Sequence, residues 1–314
     1  MGIYDLYRGD YADLFREAGD HCNERILVRN FSEGIGSGNQ YHIGFESFPT
    51  IGWGGIDPTQ SLVDAFECID GKPIGESPLY DPLSPFENRD PRLEVAVLHD
   101  GETYTYRTVS GALSSITISV APLASNYPQG IGTHGDATAT GYYQQKWLDP
   151  TKDPQDNNQG WDCGMDATIM RYAEILLTIA EAANEIAGAP TAEAYEAVNE
   201  VRARVGMPAV PAGLSKEQFR ERVRNEWRVE MCLEEGLRQW DLRRWGIAKD
   251  VYNDLSNWYG IRLTQNADGS YTLYKGEPYC YYDAAPGYND HNYIYPVPQE
   301  ELDLNTNLKQ NPGY

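Results

Sequence analysis

The clearest hydrophobic pattern in the chain begins at Ile169 and predicts a helix that ends at Ala187. Apolar positions recur at helical spacing on one face, whereas charged residues occupy another face. Those apolar positions are Ile169, Tyr172, Ala173, Leu176, Ala180, Ala183 and Ala187. Gly188 and Pro190 follow in the order in which these residues usually terminate helices. Because most of the apolar positions are alanine, we expect a neighbouring helix to approach this face closely.

Two further helices and a shorter helical stretch follow with brief turns between them. Thr191 is placed to cap the next helix, which Gly206 and Pro208 end. Ser215, with Gln218 three residues later, forms a capping box for the helix after that. In the second helix Ala194, Val198 and Val201 are predicted to point inward, and Phe219, Val223, Trp227 and Met231 run along the third. Leu237, Trp240 and Arg244 make the shorter helical stretch, which Gly246 closes. The stretch from Met170 to Ala248 therefore predicts a helical scaffold.

The rest of the chain carries shorter patterns. They predict helices over Tyr4–Ala18 and Thr59–Ile69, strands over Glu24–Phe31 and Arg92–His99, and a hairpin in which Asp100-Gly101 joins the latter strand to Thr103–Val109. A small sheet is predicted from Tyr271–Tyr274 and Tyr279–Tyr282. Glycine-rich and acidic loops separate these elements. We expect a single region in three parts: a loop- and strand-rich ligand side over 1–165, the helical scaffold over 166–250, and a loop with an extended tail over 251–314.

Composition narrows the classes of partner. The 314 residues include 25 Lys and Arg against 47 Asp and Glu, a net charge of −22. Such a charge disfavours nucleic acid and anionic membrane surfaces. Tyrosine and tryptophan number 23 and 7 against 7 phenylalanines. Their rings combine an apolar face with a polar tip, which suits sugar recognition, although tyrosine also fills loop-rich cores.

No catalytic or metal-binding motif stands out. The five cysteines are scattered without a CxxC spacing, and the histidines lack an HExxH-type pattern, so we expect neither a metal nor another cofactor. Four carboxylates between the strands and the helices, Asp149, Asp153, Asp156 and Asp162, offer calcium ligands but not the EF-hand spacing. An acidic surface loop is the better interpretation. We read the alternating charges of Glu226, Glu230, Glu234, Arg238, Asp241, Arg243 and Arg244 as a structural ion network rather than an active site.

Several blocks, in order, resemble one family. They are YADLFREAGDHCNERILVRNF, PTQSLVDAFECIDGKPI at Pro58–Ile74, ENRDPRLEVAVLHDG at Glu87–Gly101, TGYYQQKWLDP at Thr140–Pro150, the helical stretch, and the tail Tyr295–Tyr314. Together they resemble the SusD/RagB family of outer-membrane nutrient-binding lipoproteins of gut and oral bacteria. One departure is Trp227, which stands where the family usually has the arginine of a Glu-Arg pair. That replacement puts one buried ion pair in doubt.

The resemblance implies a mainly α fold: a SusD-like scaffold of tetratricopeptide-type helix pairs with long loops and short β hairpins. It further implies non-catalytic binding of oligosaccharide and its transfer to a SusC-like TonB-dependent transporter. The protein would be a surface-exposed lipoprotein of the outer membrane. Family members are longer at the N-terminus, so we expect this chain to be the C-terminal portion, without the signal and lipid-anchor segment.

The ligand is expected at the glycine-rich loop Gly34–Asp57, the region that helps build the binding site in the family. Trp53 and Tyr41 offer stacking faces, Asn39 and Gln40 offer hydrogen bonds, and Trp161 is a further candidate. The alternative is that the loop's aromatic residues merely pin it to the core. Three rival functions remain: peptide uptake of the RagB type, glycoside hydrolysis, and a repeat-scaffold adaptor without a small ligand.

Overall fold

The architecture is that of a computed structural model, which describes residues 2–32, 52–108, 112–122, 130–133, 135–150, 163–234, 236–280 and 285–314. In chain order its ligand-side elements are two 3-10 helices, Tyr11–Phe15 and Glu17–Gly19, followed by β1 (Arg25–Arg29), α1 (Gln60–Ala65), α2 (Arg92–Ala96), β2 (Val97–Leu98), β3 (Thr103–Arg107), β4 (Leu113–Thr117) and β5 (Tyr143–Gln144). The remaining elements are β6 (Ala167–Arg171), α3 (Tyr172–Ala187), α4 (Ala192–Arg204), α5 (Lys216–Glu230), α6 (Leu237–Arg244), α7 (Ala248–Asn253), β7 (Tyr259–Gln265), β8 (Tyr271–Leu273), β9 (Glu277–Cys280) and α8 (Gln299–Leu304), with 3-10 turns at Leu255–Trp258 and Asp290–Tyr293.

The helical scaffold forms as its caps predict. Gly188 ends α3 in the left-handed conformation, with a φ of 75°. The Thr191 hydroxyl accepts a hydrogen bond from the Ala194 amide at 3.1 Å. Ser215 and Gln218 form both bonds of the capping box that starts α5. These sequence predictions are therefore confirmed.

Alanine lets the scaffold helices approach one another closely. Ala173, Leu177 and Ala180 of α3 are fully buried against Val198 of α4 and Phe219 of α5. The two end positions of the predicted apolar face are wrong, since Ala187 at the C-terminal end of α3 is also exposed. Ile169 lies in strand β6 and is 49% exposed, because the helix begins three residues later at Tyr172.

A second core lies on the ligand side, where three predictions fail. Tyr4–Ala18 contains two short 3-10 helices rather than one α-helix. Arg92–His99 begins as helix α2, because the Asp90 carboxylate accepts from the Arg92 amide at 3.0 Å and the Asp90 carbonyl from the Leu93 amide at 3.0 Å. Strand β2 then pairs antiparallel with β5, and β3 pairs with β4, so Asp100-Gly101 does not join the two arms of a hairpin.

The C-terminal sheet is broader than predicted. Strands β8 and β9 both flank β7, giving the order β8-β7-β9. The sequence had indicated the two outer segments but not the central strand. Its residue Ile261 is fully buried in the ligand-side core, and Gly260 lies so close to Thr140 that an added Cβ would stand 2.2 Å from the Thr140 carbonyl oxygen. The close approach of two backbones thus fixes this sheet against the loop that precedes β5.

A buried ion network joins the two cores. Arg171 at the end of β6 donates to Glu230 at 2.6 Å, to Glu234 at 2.7 Å and to Glu24 at 2.8 Å, and its side chain is only 1% exposed. Arg204 of α4 contacts both Glu24 and Glu230. Burial opposes ionisation of Glu230, but Arg204, Arg171 and Arg92 hold the pKa of that carboxyl well below its ordinary value. The acidic face of α5 is therefore structural, as interpreted from the sequence.

Glu226, the residue before Trp227, has ion-pair partners although Trp227 replaces the arginine that is usual in the family. Glu226 accepts from Arg92 Nη1 at 2.5 Å and from Arg202 Nη1 at 2.8 Å. The guanidinium of Arg244 instead lies over the Trp227 ring, 5.3 Å from its centre. The doubt about this ion pair is thus resolved, since arginines from two other elements supply the positive charge.

We expect replacement of Arg171 by methionine to lower the free energy of unfolding by about 3–5 kcal/mol, because three buried carboxylates lose a partner. Urea unfolding at neutral pH measures this. In the unmodified protein the contribution of Glu230 is complete above its ordinary pKa of 4.5 and declines as the pH falls through the lower pKa of the folded state.

The matched control is Arg8→Met. That arginine pairs with Asp5 and Glu200 at the surface, with its side chain 55% exposed, so the loss should stay within about 1 kcal/mol. Equal losses in the two variants would show that the network does not stabilise the fold in the way described.

Candidate functional site

The segment from Gly52 to Pro58 presents one aromatic ring from a fixed backbone. The Trp53 side chain is 48% exposed. Gly54 next to it has a φ of +52°, and a Cβ there would lie 2.5 Å from the Asp136 carbonyl oxygen, so glycine alone fits. The segment is held further along by Pro58, whose carbonyl accepts from the Thr140 hydroxyl at 2.7 Å. The Trp53 indole ring therefore projects from a segment whose backbone is held in place at Gly54 and Pro58.

Asp57 supplies a second anchor. Its Oδ2 accepts from the Ala139 amide at 2.9 Å, whereas its Oδ1 is buried and has no hydrogen-bond partner among the residues that the structure describes. Burial raises the pKa of this carboxyl to about 6, although the bonds to Ala139 and Thr138 oppose the shift. The charge of this anchor therefore changes near pH 6.

The sequence-predicted binding residues are only partly placed. Trp53 has the exposure that a stacking platform needs. The other four, Asn39, Gln40, Tyr41 and Trp161, lie outside the described residues, as do Asp153, Asp156 and Asp162 of the acidic loop. Their roles stay predictions.

A cavity that sequence reasoning missed opens beside helices α1 and α5. Its volume of about 660 Å³ lies within the range usual for small-molecule sites. It is lined by polar and charged residues from α1 and α5 and by aromatic residues from the loop before α2 and from the C-terminal sheet, chiefly Gln60, Ser61, Asp64, Tyr80, Arg228, Asn257, Tyr259, Arg262 and Tyr274. We call this the α1–α5 cavity.

The wall of the α1–α5 cavity is cross-linked by hydrogen bonds. Arg228 Nη2 donates to the Ser61 hydroxyl at 2.6 Å, and that hydroxyl donates to Asn257 Oδ1 at 2.7 Å. Gln60 donates to the Asp64 carboxylate at 2.8 Å and accepts from the Tyr142 hydroxyl at 2.7 Å. The polar groups thus hold α1, α5 and the turn before β7 in one arrangement.

One sequence signal does point to Arg228. The positions three and four residues away on its helix are Arg224, Asn225, Met231 and Cys232, none of which is acidic. An arginine in a scaffold helix usually finds a carboxylate at such a spacing. The partners across the cavity come from distant segments and could not be seen in the sequence.

One histidine cluster has metal-ligand spacing in the part of the chain that the structure describes. Ligand atoms of Glu94, His99 and Glu102 lie within 4.8 Å of one another. His99 Nδ1 lies 3.0 Å from the Asp100 carbonyl oxygen and Nε2 lies 3.4 Å from Glu94. Although burial lowers the pKa of His99, the bonds to Glu94 and Asp100 raise it above its ordinary value. The contacts to Glu94 and Asp100 therefore stabilise the protonated form of His99.

The described residues include no helix that is both long enough and apolar enough to cross a bilayer.

Comparison with known proteins places these features in a family. The SusD family model matches residues 23–314. Over 166 residues, half of the chain, the sequence is 31% identical to SusD-like protein P2 of Formosa agariphila, of which the match covers 28%.

Solved structures resemble almost the whole chain. A SusD-like protein from Bacteroides fragilis superposes on 99% of it with a TM-score of 0.73 and 27% identity. A SusD-like carbohydrate binding protein from the same species covers 98% with a TM-score of 0.77 and 25% identity. The chain spans 59% and 58% of these two structures, little more than half of their length.

We expect Asp57→Asn to stabilise the protein at pH 7 by about 1–2 kcal/mol, since the pKa of the folded carboxyl is about 6 against its ordinary value of 3.8. A raised acidic pKa means that stability is highest below pH 3.8 and falls as the pH rises to about 6. Asparagine removes that dependence and keeps an oxygen for the Ala139 amide. Urea unfolding from pH 4 to pH 8 measures the difference.

Glu300→Gln, an exposed change in α8, serves as the control for loss of one carboxylate. The expected pH dependence would be contradicted if the free energies of unfolding of Asp57→Asn and of the unmodified protein differed by the same amount at every pH.

Proposed function

Because the chain belongs to the SusD family, we propose that it binds oligosaccharide at the bacterial cell surface and delivers it to a SusC-like TonB-dependent transporter. The binding is non-catalytic in this proposal. The protein acts as a surface-exposed lipoprotein of the outer membrane, and tetratricopeptide-type pairing of α3 with α4 forms part of the scaffold.

The observation that carries the proposal is the exposed Trp53 ring on an anchored backbone. An indole face covers the apolar C–H face of a sugar ring, while its N–H tip tolerates water. A fixed platform loses little conformational entropy when the ligand binds. Resemblance over nearly the full chain to a SusD-like carbohydrate binding protein from Bacteroides fragilis supports the same ligand class.

The remaining binding groups in the proposal are Tyr41 and Trp161 as further stacking rings and Asn39 and Gln40 as hydrogen-bond partners for hydroxyls. The α1–α5 cavity adds a second place where a sugar residue can be enclosed.

The proposal is tested by a screen of the full-length protein against glycans and peptides, with an assay for new reducing ends. We expect glycan binding without peptide binding and without cleavage. Binding of peptides alone would favour the RagB-type alternative, and new reducing ends would favour a glycoside hydrolase. Copurification of a SusC-like transporter with the tagged protein from the native outer membrane tests delivery.

Replacement of Trp53 by alanine should weaken glycan binding about tenfold or more, because truncation of a central aromatic anchor commonly removes over 1 kcal/mol. Isothermal calorimetry with a glycan identified in the screen measures the change. Trp240→Ala is the matched control, since Trp240 is 49% exposed but lies on α6. Unchanged affinity in Trp53→Ala would refute the assignment of Trp53 to the site.

A further inference from the structure

We propose that the α1–α5 cavity binds the anionic group of an acidic sugar, with Arg228 as its principal cation. This inference rests on the proposed oligosaccharide-binding function and adds the chemical class of the sugar. The anionic group is a carboxylate or a sulfate, which share the geometry that a guanidinium group recognises.

The first argument is the charge of the cavity wall. Two of its lining residues, Arg228 and Arg262, are cationic, and Asp64 is the single carboxylate among the residues that line it. The chain as a whole carries a net charge of −22. A cavity with a surplus of positive groups therefore runs against the composition of the protein.

The second argument is that Arg228 lacks the carboxylate partners that Arg92, Arg171 and Arg202 have. Arg92, Arg171 and Arg202 each contact at least two carboxylates. Within the described residues, the guanidinium of Arg228 makes one hydrogen bond, to Ser61, and no ion pair within 4 Å. Burial lowers its pKa to about 10, and the neighbouring Arg238 adds to that shift. Most of its five N–H donors are thus available in a site that disfavours its charge.

The third argument separates acidic from neutral sugars. Three neutral side chains of the wall already donate hydrogen bonds: Ser61 donates to Asn257, Asn257 donates to the Val251 carbonyl at 3.0 Å, and Gln60 donates to Asp64. Much of the remaining capacity lies on the guanidinium groups of Arg228 and Arg262, beside the Tyr274 hydroxyl. A ligand with an anionic group forms charge-assisted hydrogen bonds with Arg228, whereas the hydroxyls of a neutral sugar leave the Asp64 carboxylate as the charge that acts on it.

The fourth argument is shape. The rings of Tyr80, Tyr259 and Tyr274 line the same cavity, which at about 660 Å³ can enclose a sugar unit together with its acidic group. Apolar ring faces beside a guanidinium group match the mixed surface of a sugar that carries a carboxylate or a sulfate. Arg262, exposed on β7, donates to the Gly276 carbonyl at 3.1 Å and stands at the cavity as a second cation.

The test compares pairs of ligands that differ in charge. Calorimetry with the full-length protein would use galacturonic acid oligomers against their methyl esters, and sulfated galactan oligomers against their desulfated forms. We expect at least one acidic ligand to bind ten times or more tightly than its neutral counterpart, with an affinity that falls as salt rises. The pair that shows the difference identifies carboxylate or sulfate as the group.

Variants assign the effect to the cavity. Arg228→Gln should abolish most of the difference between acidic and neutral ligands, and Arg228→Lys should keep part of it. The fold should tolerate both changes, because the arginine makes no ion pair with the residues that the structure describes, and an undiminished melting temperature of Arg228→Gln checks this. Arg220→Gln is the matched control on the same helix, since Arg220 pairs with Glu185 outside the cavity.

Equal binding of acidic and neutral ligands, or an unchanged ratio in Arg228→Gln, would overturn this inference and leave the proposed oligosaccharide function standing. Absence of binding to every glycan in the broader screen would instead remove the proposed function and this inference with it.

Discussion

The fold depends on charge pairing in its interior. Arg171 reaches carboxylates from three segments, and Arg92 connects helix α2 of the ligand side to Glu226 and Glu230 of the scaffold. Taking such charges out of water is expensive unless each one is matched by hydrogen bonds of good geometry. That condition fixes where α2, β6, α4 and α5 can lie relative to one another. These elements in turn position the anchored segment around Trp53 and the α1–α5 cavity.

Two kinds of arginine therefore coexist in this protein. Those of the network are surrounded by carboxylates, which hold the pKa values of Arg92 and Arg171 well above the ordinary value despite burial. Arg228 lies two residues before Glu230 on the same helix, yet burial lowers its pKa, and no carboxylate among the described residues forms an ion pair with it. The contrast shows that the partners of a guanidinium group, and not burial alone, decide in which direction its pKa moves.

How far the sequence predicted the structure depended on whether the deciding interaction was local. The caps at Gly188, Thr191 and Ser215 act over three or four residues, so the helices they bound were predicted correctly. The segment after Asp90 alternates like a strand but turns as a helix, because the Asp90 carboxylate accepts from the Arg92 amide and Arg92 meets partners 134 and 138 residues away. Trp53 was named as a candidate from its glycine-rich setting, and its ring is exposed. The α1–α5 cavity was missed because its walls come from five separate segments of the chain.

The ion network also bears on how the chain can be divided. Glu24 and Arg92 belong to the first half of the chain, whereas Arg204 and Glu230 belong to the second, and their charges are compensated only when all are assembled. A fragment cut between 165 and 166 would bury Arg204 and Arg171 without Glu24, or Arg92 without Glu230. Neither piece would therefore be an autonomous folding unit. These ion pairs also join residues that are far apart in the sequence. We therefore expect them to form late in folding, so that the ligand side and the scaffold become native in one cooperative step.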